Sequence, residues 1–534
     1  MSWIPVPANN KRIVDLSASD AREQLLDPRA YCTIPLPEYI NSKPILDVAN
    51  AFVFFCWDGK SIKELKQTDA SWKNLMNATD YVNYKLLTNK DGLLSWRPIE
   101  LMEPICYVQL VRTITTPENW EIIVNRFKEV ESCNVIECCS LPSVRSDDEH
   151  LSKTSILNWW SGFEQRSVEL SLEYQFMITT DIADCYGSIY THAISWALHG
   201  KQLAKKKRNA DALLGNKIET ILRAPRANQT NGIPQGSMLS DLIAEMVLGY
   251  VDIELQKRLD VIFSSNDGET NRSNKPKFKI LRYRDDYRIF SDDHAVAQTV
   301  LLELMQVCAE NNFKLNSGKT NQSEDIIISS IKPDKIAWLS IGCYPKNLHK
   351  QLLLIADFSR RFPNSGTLLK EISRFADRLE HLKGRPEQNQ VLIAQVVDLM
   401  VRNPRCYPSG CRALSILLKY ESEESQARLF ELILKRSQSV PNRGLFEIWL
   451  QRIAVRLECF VSHKWEERIC ECLPQTSIGD TQRQNPFNFD WVDKESCALI
   501  QNVPIVDQSK LEVITPEISA DEANEPFTYT GFLW

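Results

Sequence analysis

Ile280-Leu-Arg-Tyr-Arg-Asp-Asp-Tyr-Arg-Ile-Phe290 sets two adjacent carboxylates, Asp285 and Asp286, inside a run of aromatic and branched apolar residues. Such flanks favour strand, so the stretch predicts a β-hairpin that carries acids. It contrasts with Asp292-Asp293, which reads as a solvated turn. Successive side chains on a pleated strand face opposite ways. Asp285 is therefore expected to act directly on a metal, and Asp286 less directly.

Upstream, Phe176–Asp181 is short, apolar and β-branched and ends on a carboxylate, the pattern of a central strand with a polar tip. It opens the segment Asp181-Ile-Ala-Asp-Cys-Tyr-Gly-Ser-Ile-Tyr190. Gly232-Ile-Pro-Gln-Gly-Ser-Met-Leu-Ser-Asp241 follows, and Leu315-Asn-Ser-Gly-Lys-Thr320 lies beyond the hairpin. Phosphoryl transfer from a nucleoside triphosphate gathers negative charge on the attacking, bridging and leaving oxygens. Two divalent ions roughly 3.5–4 Å apart offset that charge and acidify the attacking hydroxyl. Mg²⁺ prefers oxygen ligands, so aspartates suffice. Asp181 at a strand end and Asp285 in a neighbouring hairpin are expected to bridge such ions.

These motifs, in this order, resemble those of the reverse-transcriptase family. Thr180–Ile189 is similar to its first palm-aspartate motif, Gly232–Ser240 to its Pro-Gln-Gly motif, and Tyr283–Asp286 to its Tyr-x-Asp-Asp motif. Leu315–Lys319 resembles the lysine motif that follows, and Trp338–Gly342 the primer-grip turn. The resemblance spans roughly residues 95–350 and is closest to the bacterial defence-associated (abortive-infection and unknown-group) enzymes. It implies an α+β right-hand polymerase with fingers, an RRM-like antiparallel palm, a helical thumb and an α-helical C-terminal extension. The expected bounds are 1–95 for an N-terminal extension or part of the fingers, 96–175 for fingers and 176–348 for palm, with a finger insertion near 200–230. The thumb is expected at 349–400, and the extension with its acidic tail at 401–534.

The same resemblance implies two Mg²⁺ ions, with Mn²⁺ as a substitute, held by Asp181, the Ile182 backbone carbonyl, Asp285 and Asp286. It implies that Tyr186 is the aromatic gate under the sugar, that Gln235 and Gly236 approach the incoming nucleotide, and that Lys319 stands near the triphosphate. Arg284 departs from the pattern, because alanine or methionine is commoner there. The implied reaction is RNA-directed DNA synthesis from dNTPs at a 3′-hydroxyl, in antiphage defence. Template-independent or protein-primed synthesis by the same site is one alternative. Another is a catalytically silent scaffold binding noncoding RNA or a second defence protein. Expected partners are dNTPs, an RNA template or structured noncoding RNA, the DNA product, a second defence protein and further copies of the chain.

Composition constrains this reading without deciding it. At 534 residues the chain is longer than one hydrophobic core usually supports. No apolar run is long enough to span a bilayer, and Met-Ser-Trp-Ile-Pro-Val-Pro lacks the pattern of a secretory leader. The 15 cysteines show no zinc-ligand spacing, so free thiols in a reducing cytoplasm are expected. A net charge of −6 is awkward for a polyanion partner, but affinity follows local positive surface. Lys201, Lys205, Lys206, Lys207, Arg208, Arg223 and Arg226 are the backbone-contact candidates. Arg97, Lys153 and Arg166 are candidates for gripping triphosphate, and Lys350, Arg360 and Arg361 for facing a duplex.

Periodicity predicts helices over Pro117–Lys128, Ser155–Tyr174, Thr191–Leu198, Met238–Leu259 and Val296–Asn311. Short strands are expected at Ile326–Ile331 and Ile336–Ile341. From His349 onward, amphipathic helices are expected at short intervals from Gln351–Arg361 to Leu445–Arg456, continuing through Trp465–Leu473. Ser143–His150 and Phe263–Lys277 read as exposed loops.

Overall fold

The computed structural model describes residues 12–57, 82–142, 144, 162–207, 213–264, 276–342, 345–457, 463–473, 483–492 and 494–524. Lys153, Arg208 and most of the two expected loops lie outside these residues. Strands occur at β1 (Tyr84–Asn89), β2 (Trp96–Leu101), β3 (Ile136–Cys138), β4 (Phe176–Asp181), β5 (Phe278–Tyr283), β6 (Asp286–Ser291) and β7 (Asn321–Ser323). The chain divides into two compact units. One holds Met1–Cys32, Ala49–Asn83 and Met102–Ile331; the other holds Thr33–Val48, Tyr84–Leu101 and Lys332–Trp534.

The first unit is built on a five-stranded sheet in the order β3-β5-β6-β4-β7. Its pairs are antiparallel except β3 with β5. The alternation seen in the sequence sorts its two faces. Met177, Leu281, Tyr283 and Phe290 gather on one of them with Phe163, Leu170, Cys139 and Ile326 in a buried apolar cluster. The helix Met238–Ser264 is buried along most of its length, as expected for a helix that is apolar nearly all round. Gly249 permits this burial: a Cβ there would meet Val130 Cγ2 at 2.6 Å, on the helix Pro117–Glu131.

Two predicted strands are helices. Ile326–Ser330 is helical because Asp325 caps it, its carboxylate accepting from the Ile328 N–H at 3.1 Å. Only Ile326 of its three isoleucines is buried, so the apolar run is not a core strand. Pro333–Leu339 begins with proline at the first turn, where no N–H is needed. Trp338, expected in a primer-grip turn, is therefore on a helix and packs edge-on against Phe358 at 4.8 Å.

The second unit pairs the β1–β2 hairpin with a run of helices at Leu348–Arg361, Gly366–Glu380, Asn389–Arg402, Tyr407–Lys419, Glu423–Ser437 and Gly444–Ala454. Asn347, Ser365 and Ser422 supply side-chain caps. Buried Arg412 pairs with Asp377 and Glu380, and buried Arg452 with Glu522. The expected helix at Trp465–Leu473 reduces to one turn, Cys470–Cys472. The Glu447 carboxylate captures the N–H groups of Glu466 and Glu467 in place of a helical start. Among the described residues no helix is long and apolar enough to cross a membrane, and the cysteines are free thiols.

Glu103 opens the helix Pro104–Ile114 from a fully buried position, accepting from the Cys106 N–H at 2.9 Å. Burial pushes its carboxyl up to about 7, against an ordinary 4.5. Between those values the folded chain keeps a proton that the unfolded chain releases, so stability falls as pH rises through this window. Glu103→Gln removes that slope. Urea unfolding at pH 5 and pH 8 should show the variant gaining on the parent at the higher pH, by on the order of 2–3 kcal/mol. Parallel behaviour at both pH values would refute it.

Candidate active site

Strand pairing assembles the three aspartates. Asp181, the last residue of β4, is in direct register with Asp286, the first residue of β6. Residues directly opposite share a face, with Cβ atoms about 4.5–5.5 Å apart. Asp285 lies with Arg284 in the turn between β5 and β6, and its carbonyl accepts from the Ile182 N–H at 3.0 Å. Strand alternation does not govern a turn residue, so Asp286 rather than Asp285 takes the position across from Asp181.

The lysine segment is sewn to the same end of β4. Ala183 donates to the Lys314 carbonyl at 2.8 Å, and Asn316 donates to the Asp181 carbonyl at 2.8 Å. This delivers Lys319 Nζ to Asp181 Oδ2 at 2.6 Å. Burial pulls the ammonium down, but the Asp181 bond and the charges of Asp181, Asp286 and Asp285 outweigh it and hold Lys319 above its usual range. Burial raises the Asp285 carboxyl; its own backbone bond opposes this, and the Asp181 charge adds to it. Three acids thus share one lysine.

Oxygen donors of this kind fit Mg²⁺, and Asp181 Oδ1 is buried without a hydrogen-bond partner. Among the described residues no group of three or more His, Cys, Asp or Glu side chains forms a ready cage for an ion. Mg²⁺ usually takes one or two carboxylates together with waters and substrate phosphates, so it does not require such a cage.

A network absent from the sequence reading supports the turn. Fully buried Arg282 donates from Nε to Asp252 at 2.7 Å and from NH1 to Glu245 at 2.8 Å. Tyr287 donates to the other Asp252 oxygen at 3.2 Å. Ser140 donates to Glu245 at 2.7 Å and accepts from the Arg284 N–H at 2.7 Å. Arg284 sits at φ 57°, a left-handed conformation that a non-glycine residue keeps only when its surroundings impose it. The sequence signal was present: Asp241, Glu245 and Asp252 are spaced by four and seven, one stripe of an otherwise apolar helix.

Tyr186 lies on the short helix Cys185–Ser188, half-buried, with its hydroxyl donating to Asp241 at 2.6 Å. Backbone bonds from Ile233 to Tyr186 and from Gly232 to Ile189, at 3.0 and 2.8 Å, bring the Pro-Gln-Gly segment against it. Gln235 is half-buried there, and Gly236 at φ 135° holds a conformation that side chains rarely allow. Burial lifts the Tyr186 phenol well above its usual range and the Asp241 carboxyl to about 7.

The basic candidates separate into two groups. Lys205, Lys206 and Lys207 are exposed at the end of the helix Lys201–Lys206, and Lys201 lies 4.6 Å over the Trp196 ring. Arg223 pairs with buried Glu219 at 2.8 Å, and Arg226 donates to the Gly232 carbonyl. Arg166 pairs with Glu137 and Glu169, Arg97 lies on β2, and Lys350, Arg360 and Arg361 lie on the helix Leu348–Arg361.

Residues 90–343 match the family model described as reverse transcriptase (RNA-dependent DNA polymerase). A reverse-transcriptase domain is present. The match covers a little under half of the chain and includes the three aspartates, Tyr186, Gln235, Gly236 and Lys319. No curated protein sequence matches the chain. Among solved structures, a telomerase from Candida tropicalis, in complex with the TWJ fragment of telomeric RNA, aligns at 12% identity with a TM-score of 0.24. The alignment covers 70% of this chain and 64% of that one, and a likeness this shallow carries no argument.

The reverse-transcriptase domain should depend on its buried arginine. Arg282→Ala leaves Asp252 and Glu245 uncompensated and should lower stability by about 3–5 kcal/mol in urea unfolding. Arg166→Ala, whose ion pairs are partly exposed, should cost less than about 1 kcal/mol. Equal effects would show that the buried network does not hold the hairpin.

Proposed function

We propose that the chain is an RNA-directed DNA polymerase that joins a primer 3′-hydroxyl to the α-phosphate of a dNTP. The observation that carries this reading is the meeting of Asp181, Asp285 and Asp286 around Lys319 inside the reverse-transcriptase domain. Asp181 through its unpartnered oxygen, Ile182 through its carbonyl, Asp285 and Asp286 would hold two Mg²⁺ ions, with Mn²⁺ as substitute. When bound, these ions lower the pKa of the attacking hydroxyl and offset charge on the leaving group.

The attacking oxygen forms a bond to the α-phosphorus as the bond to the bridging oxygen breaks, the hydroxyl proton passes to solvent and pyrophosphate leaves. Lys319, a flexible ammonium already drawn to the acids, stands ready to donate to phosphate oxygen once a substrate competes for it. Tyr186 presents its ring beneath the sugar and excludes a 2′-hydroxyl, and Gln235 and Gly236 bring amide and backbone up to the nucleotide. Exposed Lys205, Lys206 and Lys207 contact nucleic-acid backbone, an interaction that positions a duplex without reading its sequence.

In this reading residues 96–175 act as fingers, 176–348 as palm and 349–400 as thumb, and the helices beyond 400 bind structured RNA or a second defence protein. The defence setting follows from the motif resemblance, and the free thiols suit the reducing cytoplasm.

The test supplies purified protein, with and without co-purifying nucleic acid, with labelled dNTPs or NTPs and Mg²⁺ or Mn²⁺. A deoxynucleotide polymer should form, EDTA should stop it, and added Mg²⁺ should restore it. Asp285→Asn should lower incorporation by at least about a hundredfold; equal incorporation would sink the site assignment. Tyr186→Ala should raise ribonucleotide use relative to deoxynucleotide use by about tenfold or more, and an unchanged ratio would remove the gate.

A further inference from the structure

We infer that Asp241 is a positioning residue for sugar selection, fixing the Tyr186 ring through its hydroxyl. The inference rests on the reading of Tyr186 as the gate and adds a residue to which that reading assigns no part.

A steric gate works only if its ring is held against displacement, since a 2′-hydroxyl is small and a yielding ring would admit it. Tyr186 stands on a helix of four residues, Cys185–Ser188, that starts from Asp184 at φ 46°. So short an element has little rigidity of its own. The neighbouring helix Met238–Ser264 is long and buried, and Asp241 projects from its first turn with 2% exposure. The 2.6 Å bond from the Tyr186 hydroxyl to Asp241 Oδ1 ties the far end of the ring to that helix. Hydrogen bonds to a carboxylate are shorter and stronger than neutral ones.

Arg284 stands in the turn that carries Asp285. Its charge favours the ionised form of Asp241 and also acts on Tyr186. The anchor therefore joins the gate to the helix Met238–Ser264.

The experiment compares kcat/KM for dNTPs and rNTPs, together with equilibrium binding of dTTP and UTP in Ca²⁺, for the full chain and its variants. Tyr186→Phe keeps the ring and removes only the tether; Asp241→Ala removes the acceptor; Asp241→Asn keeps an acceptor. Tyr186→Phe and Asp241→Ala should each lower the dNTP preference by about tenfold. The double variant should fall no further, and Asp241→Asn should stay near the native ratio. If Tyr186→Phe keeps the native ratio while Tyr186→Ala loses it, the ring alone is the gate and the inference about Asp241 is wrong. Additive losses in the double variant would also overturn it, as would an Asp241→Ala protein that is less stable but equally selective. If Tyr186→Ala leaves the ratio unchanged, or the native protein neither binds nor incorporates dNTPs, the underlying reading fails and this inference with it.

Discussion

Three carboxylates on one stripe of a buried helix organise the first of the two units. Asp241, Glu245 and Asp252 have 2%, 1% and 0% exposure, and unpaired ions in such positions would be untenable. Each is answered by a group on another element. Asp252 takes Arg282 and Tyr287 from β5 and β6, Glu245 takes Arg282 and Ser140, and Asp241 takes the Tyr186 hydroxyl. Because a buried charge tolerates little displacement from its partner, the helix acts as a reference to which the hairpin, its turn and the helix Cys185–Ser188 are all registered. The Arg284 backbone, bonded to Ser140, keeps its left-handed conformation for the same reason.

This frame explains which parts of the site could be read from sequence. Asp181, the Pro-Gln-Gly segment and the Asp285-Asp286 pair are legible because each lies in a short contiguous motif with its own turn or strand chemistry. The relation of Asp286 to Asp181 was not legible, since it depends on the register of β4 with β6 and on Asp285 falling in the turn. Arg282 lies within the hairpin sequence, but its role appears only when its two acids arrive from a helix thirty and more residues earlier. Those acids stood in plain view at helical spacing within an apolar stretch. A buried polar stripe is a sequence signal that needs no homologue to see.

Elsewhere, local groups act alongside composition. Ile326–Ile331 has the residues of a strand, but the Asp325 cap and two exposed isoleucines make a helix the better use of the segment. Arg223 and Arg226, named as backbone-contact candidates, each also have a partner within the chain, Glu219 for the first and the Gly232 carbonyl for the second. Charge counted along a chain cannot distinguish a free cation from one that is already committed. Among the described residues of that set, Lys205, Lys206 and Lys207 face solvent at an exposed helix end.

The same distinction governs Lys319, and here commitment is part of the site's design. Three acids brought together without a counterion repel one another, and burial of Asp285 makes that worse. Lys319 relieves the repulsion through a single mobile ammonium on Asp181, with its side chain still 67% exposed. A guanidinium would bind two carboxylate oxygens at once and hold the site closed; an ammonium binds one and can be displaced. Asp181 consequently keeps one oxygen on the lysine and one without a partner. Under the proposed function, Asp181 would offer both oxygens to a divalent ion once phosphate drew Lys319 away. The exposed lysine and the buried arginine are therefore not interchangeable: Arg282 ties the hairpin to Asp252 and Glu245, and Lys319 offsets the repulsion among the acids through one displaceable contact.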